Sequence, residues 1–126
     1  MMIERIDHFV LTVQSRAETC KFYQRVLGFE VQQIEGKPTA LTFGRQKINL
    51  HEIGHPFEPK ARQPTPGSGD FCLIATKPME EIQERLKEQS VDIEVGPVER
   101  FGAEGRMSSI YFRDPDGNLV EISQYI

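Results

Sequence analysis

Asp114-Pro115-Asp116-Gly117-Asn118-Leu119-Val120-Glu121-Ile122-Ser123 joins a self-specifying turn to an apolar strand that carries one acid. Gly117 supplies the positive φ that such a turn often takes, and Asp114 and Asp116 read as turn formers. In the strand, Val120 and Ile122 share one face while Glu121 and Ser123 share the other. A carboxylate inside a strand is costly unless something positive sits beside it. What Glu121 faces is therefore the question put to the rest of the chain.

Upstream, Ile6 to Val13 reads as a strand with Phe9, Leu11 and Val13 on one face and His8, Val10 and Thr12 on the other. Ser15-Arg16-Ala17-Glu18 reads as a capping box, followed by a helix carrying Cys20, Phe22, Tyr23, Val26 and Leu27 and stopping at Gly28. Strands are expected over 29–33, 39–43 and 47–53, with turns at 36–38 and 44–46. Pro56, Pro59, Pro64 and Pro66, with Gly54, Gly67 and Gly69, forbid regular structure, so 55–69 reads as a linker.

The order then repeats. Asp70 to Ala75 reads as a strand, and Pro78 opens a helix with Met79, Ile82 and Leu86 as its buried stripe. A strand is expected over 91–95, a long polar loop over 96–108, a strand over 110–113 and the closing strand over 119–125. The chain thus reads as two βαβββ modules, about 1–54 and 70–126, within one α+β domain spanning 1–126.

Matching the modules by element order sets His8 against Asp70 and His51 against Glu121. Each lies on the face opposite the apolar one, so sheets curving with those faces inward bring the four together. Imidazoles with one or two carboxylates and no thiolate suit one divalent ion: Fe(II), Mn, Ni, Co or Zn. Arg100 and Arg106, flanking Phe101 in the 96–108 loop, are candidates for holding an anionic substrate. Cys20 and Cys72 read as buried small hydrophobes, without zinc-site spacing.

Composition sets the outer limits. The 126 residues suit one domain, and a net charge of −4 argues against non-specific nucleic-acid binding. No apolar run reaches the ~18 residues of a membrane span. The first residues lack a signal-peptide pattern, so the default location is cytoplasmic.

Three stretches together carry a family resemblance: Arg5 to Val13, Phe22 to Phe29, and Asp114 to Ile122. With its FY…LGF and DPDGN…E pieces, nearly the whole chain resembles the vicinal oxygen chelate superfamily, the glyoxalase / bleomycin resistance / extradiol dioxygenase group. Its KINLH strand and GPVER loop are similar to those of the subgroup of glyoxalase-domain-containing protein 5 and bacterial virulence-associated glyoxalase-like proteins. The resemblance implies paired βαβββ modules forming a half-open barrel around a divalent metal, with helices outside, and a homodimer. It implies His8, His51 and Glu121 as metal ligands. Asp70 stands where relatives commonly carry His, and three roles are open to it: ligand, hydrogen-bond partner of a ligand, or non-ligand in a three-ligand site with more exchangeable water. The implied function is a metal-dependent glyoxalase-type lyase or isomerase acting on a small oxygenated substrate, with Glu121 moving the proton. The alternatives are an Fe(II) extradiol-type dioxygenase, a thiol transferase for an epoxide antibiotic, and a metal-free drug-binding resistance protein.

Overall fold

The computed structural model describes residues 1–55 and 57–126. Pro56, one of the prolines expected to interrupt the linker, lies outside the described residues. The chain divides into two compact units, Met1–Gly67 and Ser68–Ile126.

The first unit contains β1 (His8–Val13), α1 (Arg16–Leu27), β2 (Glu30–Gln32), β3 (Thr39–Phe43) and β4 (Gln46–Glu52). Its sheet has the order β1-β4-β3-β2, with β1 parallel to β4 and the other pairs antiparallel. The alternation seen in the sequence decides which face is covered. Leu11, Val13, Leu41, Ile48 and Leu50 are buried, as are Phe22, Tyr23 and Val26 of α1. Phe29 stacks on both Tyr23 and Phe43, with ring centroids 5.7 and 4.5 Å apart. Ser15 Oγ accepts the Glu18 amide at 3.1 Å, as the expected cap requires. Gly28, at φ 72°, ends the helix, and its N–H donates to the Gln24 carbonyl.

The second unit contains β5 (Asp70–Ile74), α2 (Met79–Glu88), β6 (Val95–Gly102), β7 (Gly105–Arg113) and β8 (Leu119–Tyr125). Its order is β5-β8-β7-β6, with β5 parallel to β8. Both units are therefore four-stranded mixed sheets with one helix each, and the class is α+β as expected. Val120, Ile122, Ile110 and Phe112 are buried, together with Met79 and Leu86 of α2. The turn before β8 ties this sheet together. Asp114 Oδ1 accepts the amides of Asp116 and Asn118 at 3.0 Å, and its Oδ2 accepts Asn118 Nδ2 at 2.8 Å. Asn118 Oδ1 in turn accepts the Gly69 amide at 2.7 Å, beside the start of β5.

Two expectations are corrected. Residues 96–108 are not a loop: they form most of the β6–β7 hairpin, while of 91–95 only Val95 joins a strand. The polar composition hid the hairpin because cross-strand charge pairs hold it, with Arg106 bonded to Glu99 at 2.9 Å. Near its tip the strands pack closely: a Cβ on Gly102 would stand 2.5 Å from Met107 Sδ and 2.7 Å from the Tyr125 hydroxyl, so those side chains would have to shift. Cys72 is exposed, not buried, because it sits on the face that α2 does not cover.

Candidate functional site

The face left open by each helix carries the polar candidates, and strand register fixes where each one stands. In the first unit His8 pairs with Lys47, Val10 with Asn49 and Thr12 with His51. In the second, Asp70 pairs with Leu119, Cys72 with Glu121 and Ile74 with Ser123. Superimposing the two parallel pairs sets His8 against Asp70, as the sequence suggests. The same step sets Asn49 against Glu121 and His51 against Ser123, which corrects the expected match of His51 with Glu121.

The helix caps support this registration independently. Glu52 Oε1 accepts the Arg16 amide at the start of α1, at 2.9 Å. Gln124 Oε1 accepts the Met79 amide at the start of α2, also at 2.9 Å. The residue after His51 thus does in the first unit what the residue after Ser123 does in the second.

His8 is half-exposed, and its Nδ1 is hydrogen-bonded to Asp7 Oδ1 at 2.8 Å. That bond holds the proton on Nδ1 and leaves Nε2 as the free basic nitrogen. The contact also keeps the Asp7 carboxyl below its ordinary range, chiefly through the hydrogen bond from His8. His51 shares the face but lies four ladder positions further along, about 13 Å. It is 6% exposed, with its ring centroid 5.8 Å from that of Phe57. Between them, Asn49 has its Oδ1 buried without a hydrogen-bond partner among the described residues. An acceptor left in that state costs roughly 1–3 kcal/mol, so it marks a place where a donor or cation would be favourable. An open hollow of about 1120 Å³, lined by Arg16, Cys20, Lys37 and Glu52 among others, belongs to the helix side of this unit.

In the second unit Glu121 is the centre of a bonded chain. Ser123 Oγ donates to Glu121 Oε2 at 3.1 Å and also contacts Ser109 Oγ at 2.6 Å and Cys72 Sγ at 3.2 Å. Tyr111 is the direct cross-strand neighbour of Glu121. Desolvation first, and then the Glu121 charge, outweigh the Arg100 contact and raise the Tyr111 phenol, so it stays a donor. The same order of causes, burial ahead of the carboxylate, raises the Cys72 thiol. Asp70 is exposed at the start of β5.

Arg100 and Arg106 lie on opposite faces of the hairpin, because Arg100 pairs with Met107 and Arg106 with Phe101. Arg100 Nε donates to the Tyr111 hydroxyl at 3.0 Å. Arg106 is occupied by Glu99. Among the described residues no three His, Cys, Asp or Glu side chains are grouped to hold a metal ion.

Sequence reading passed over Asn49, Ser109, Tyr111 and Ser123. For Asn49 and Ser123 the signal was present in part, since they share strand faces with His51 and Glu121, whereas Ser109 and Tyr111 share no strand face with a singled-out residue. Choosing them needed the register.

A family model described as Glyoxalase/Bleomycin resistance protein/Dioxygenase superfamily matches residues 5–122. Virulence protein STM3117 of Salmonella typhimurium is 52% identical over the whole chain and 88% of its own length. Its crystal structure superimposes with a TM-score of 0.97, covering 100% of each chain. Glyoxalase domain-containing protein RDO1 of Mycosarcoma maydis is 45% identical over 99% of this chain and 70% of its own length. Metallothiol transferase FosB of Shouchella clausii is 30% identical over 96% of this chain and 80% of its own.

Proposed function

The chain belongs to the glyoxalase/bleomycin resistance protein/dioxygenase superfamily, and from that premise we propose that it is a metal-dependent enzyme of the glyoxalase type. Its substrate is a small oxygenated molecule that presents adjacent oxygens, and the working form is a homodimer. Members of this superfamily bind small molecules and often use a divalent metal. The observation that carries the reading is Glu121: a carboxylate on an open sheet face, held by Ser123 with Tyr111 beside it on the next strand.

The donor set suits a divalent ion of borderline type. His8 offers its Nε2, oriented through Asp7, and Glu121 offers a carboxylate directed by the Ser123 hydroxyl. Asp70 is the third donor, at the position that the repeat makes equivalent to His8. His51 stays a candidate ligand, and Asn49 Oδ1 joins the set as the counterpart of Glu121. A bound ion supplies Lewis acidity, stabilising negative charge on the substrate's adjacent oxygens.

Glu121 is the proton carrier. Ser123 donates to its carboxylate, and Tyr111 stands beside it on the next strand. Tyr111 remains protonated throughout, given the upward shift of its phenol.

The likeness to metallothiol transferase FosB favours one second reading, metal-assisted transfer of a thiol to a small electrophile. A panel of hemithioacetals and epoxides separates the two. The common premise is tested first, by metal analysis of untagged protein purified without chelators. About one equivalent of a divalent ion per chain is expected, and less than about a tenth sinks the reading.

A further inference from the structure

On the open face of the second unit two serines stand directly opposite each other, Ser109 on β7 and Ser123 on β8. Both are fully buried, and their hydroxyl oxygens lie 2.6 Å apart. Ser123 Oγ also meets Glu121 Oε2 at 3.1 Å and Cys72 Sγ at 3.2 Å. Three partners thus converge on one hydroxyl, and counting protons fixes which of them donates.

A serine hydroxyl has one proton and two lone pairs, whereas a carboxylate only accepts. The Ser123 proton is therefore committed to Glu121. Its two lone pairs accept from Ser109 O–H and Cys72 S–H, so the chain runs one way, from Ser109 through Ser123 to Glu121. Reversing the Ser109–Ser123 bond would turn a lone pair of Ser123 toward the carboxylate. Of the two bonds that Ser123 accepts, the one from Ser109 is the stronger, because it is shorter and a thiol is a weak donor. For packing alone, two apolar side chains would fill this buried place without desolvating two hydroxyls.

Resting on the glyoxalase-type reading of Glu121, we propose that Ser109 is a positioning residue for that carboxylate. Its hydroxyl holds Ser123 in the orientation that aims the single Ser123 proton at Glu121 Oε2. Ser109 acts on Glu121 through Ser123 alone.

The test uses full-length, metal-free protein with glutamate carrying 13C at Cγ, so it does not depend on an ion. NMR relaxation of the Glu121 γ-methylene reports how firmly the carboxylate is held. Ser123→Ala should loosen it most and Ser109→Ala less, while the double variant should match Ser123→Ala. Ser109→Val, which fills the volume without a hydroxyl, should loosen it as Ser109→Ala does. Ser109→Thr should restore it, and Ser109→Cys, a weaker donor that adds no methyl group, should restore part. A γ-methylene unchanged in Ser109→Ala, full order in Ser109→Val, or a double variant looser than Ser123→Ala would each overturn the proposal. Zn2+ affinity by calorimetric titration should follow the same order, with about a 10-fold loss for Ser123→Ala and about 3-fold for Ser109→Ala. If wild-type protein binds no ion, the glyoxalase-type reading falls, and the relaxation series still decides the role of Ser109.

Discussion

The two units use one register for two kinds of chemistry. Their covered faces are near copies in role: Leu50 and Ile122 occupy matching positions, and both are buried. Their open faces have diverged. Where the first unit carries Val10, Asn49 and His51, the second carries Cys72, Glu121 and Ser123. A core position must match a volume, whereas an open-face position is constrained only by what binds there. The difference lies on the helix-free faces: the first unit presents imidazoles there and the second a carboxylate bonded by Ser123.

The largest effects should be the ones that do not tell the units apart. Leu50→Ala and Ile122→Ala should each cost about 2–5 kcal/mol in urea unfolding. A loss below ~1 kcal/mol in either would break the core equivalence.

The open faces should then separate. Glu121→Ala should reduce divalent-metal affinity by about 100-fold or more by calorimetric titration, while Ser123→Ala should cost about 10-fold. Asn49→Ala should fall well short of Glu121→Ala; equal losses would mean that the amide serves as fully as the acid.

The cap pair offers a finer test of register. Glu52→Ala and Gln124→Ala should each lower stability by about 1 kcal/mol, and Glu52→Gln should be close to neutral, because Gln124 does the same work with an amide. A Glu52→Gln loss as large as that of Glu52→Ala would show that the cap depends on charge.

The smallest effect concerns Cys72. Burial, and then the nearby Glu121 carboxylate, raise its thiol above the ordinary value, so the folded state favours the protonated form. The associated stability is present at pH below the unfolded thiol's pKa and is lost as pH rises through the folded one. Although exposed, Cys72 should react with iodoacetamide more slowly than a free thiol near pH 8, as measured by mass spectrometry. Glu121→Gln should speed the reaction a few-fold, and an unchanged rate would count against the carboxylate's influence.

Much of this was legible in the sequence. Apolar alternation placed the covered faces, Ser15 and Gly28 bounded α1, and the Asp114–Asn118 segment announced its turn. Those signals are local: a residue and its neighbours within one turn or strand satisfy the physics. The β6–β7 hairpin was not legible, because polar pairs across the strands stabilise it rather than a buried stripe. Nor was the match of Asn49 with Glu121, since sliding a strand by two residues leaves every side chain on the same face.

By itself, then, the sequence determined the two βαβββ modules, their helix caps and the face on which His8, His51 and Glu121 lie. Only the tertiary structure decided which residues stand side by side on that face. It made Asn49, not His51, the counterpart of Glu121 in the repeat, set Ser123 and Tyr111 beside Glu121, and parted Arg100 from Arg106. The physical reason is that facing follows from a period of two along one strand. Adjacency follows from hydrogen-bond register between strands far apart in the chain.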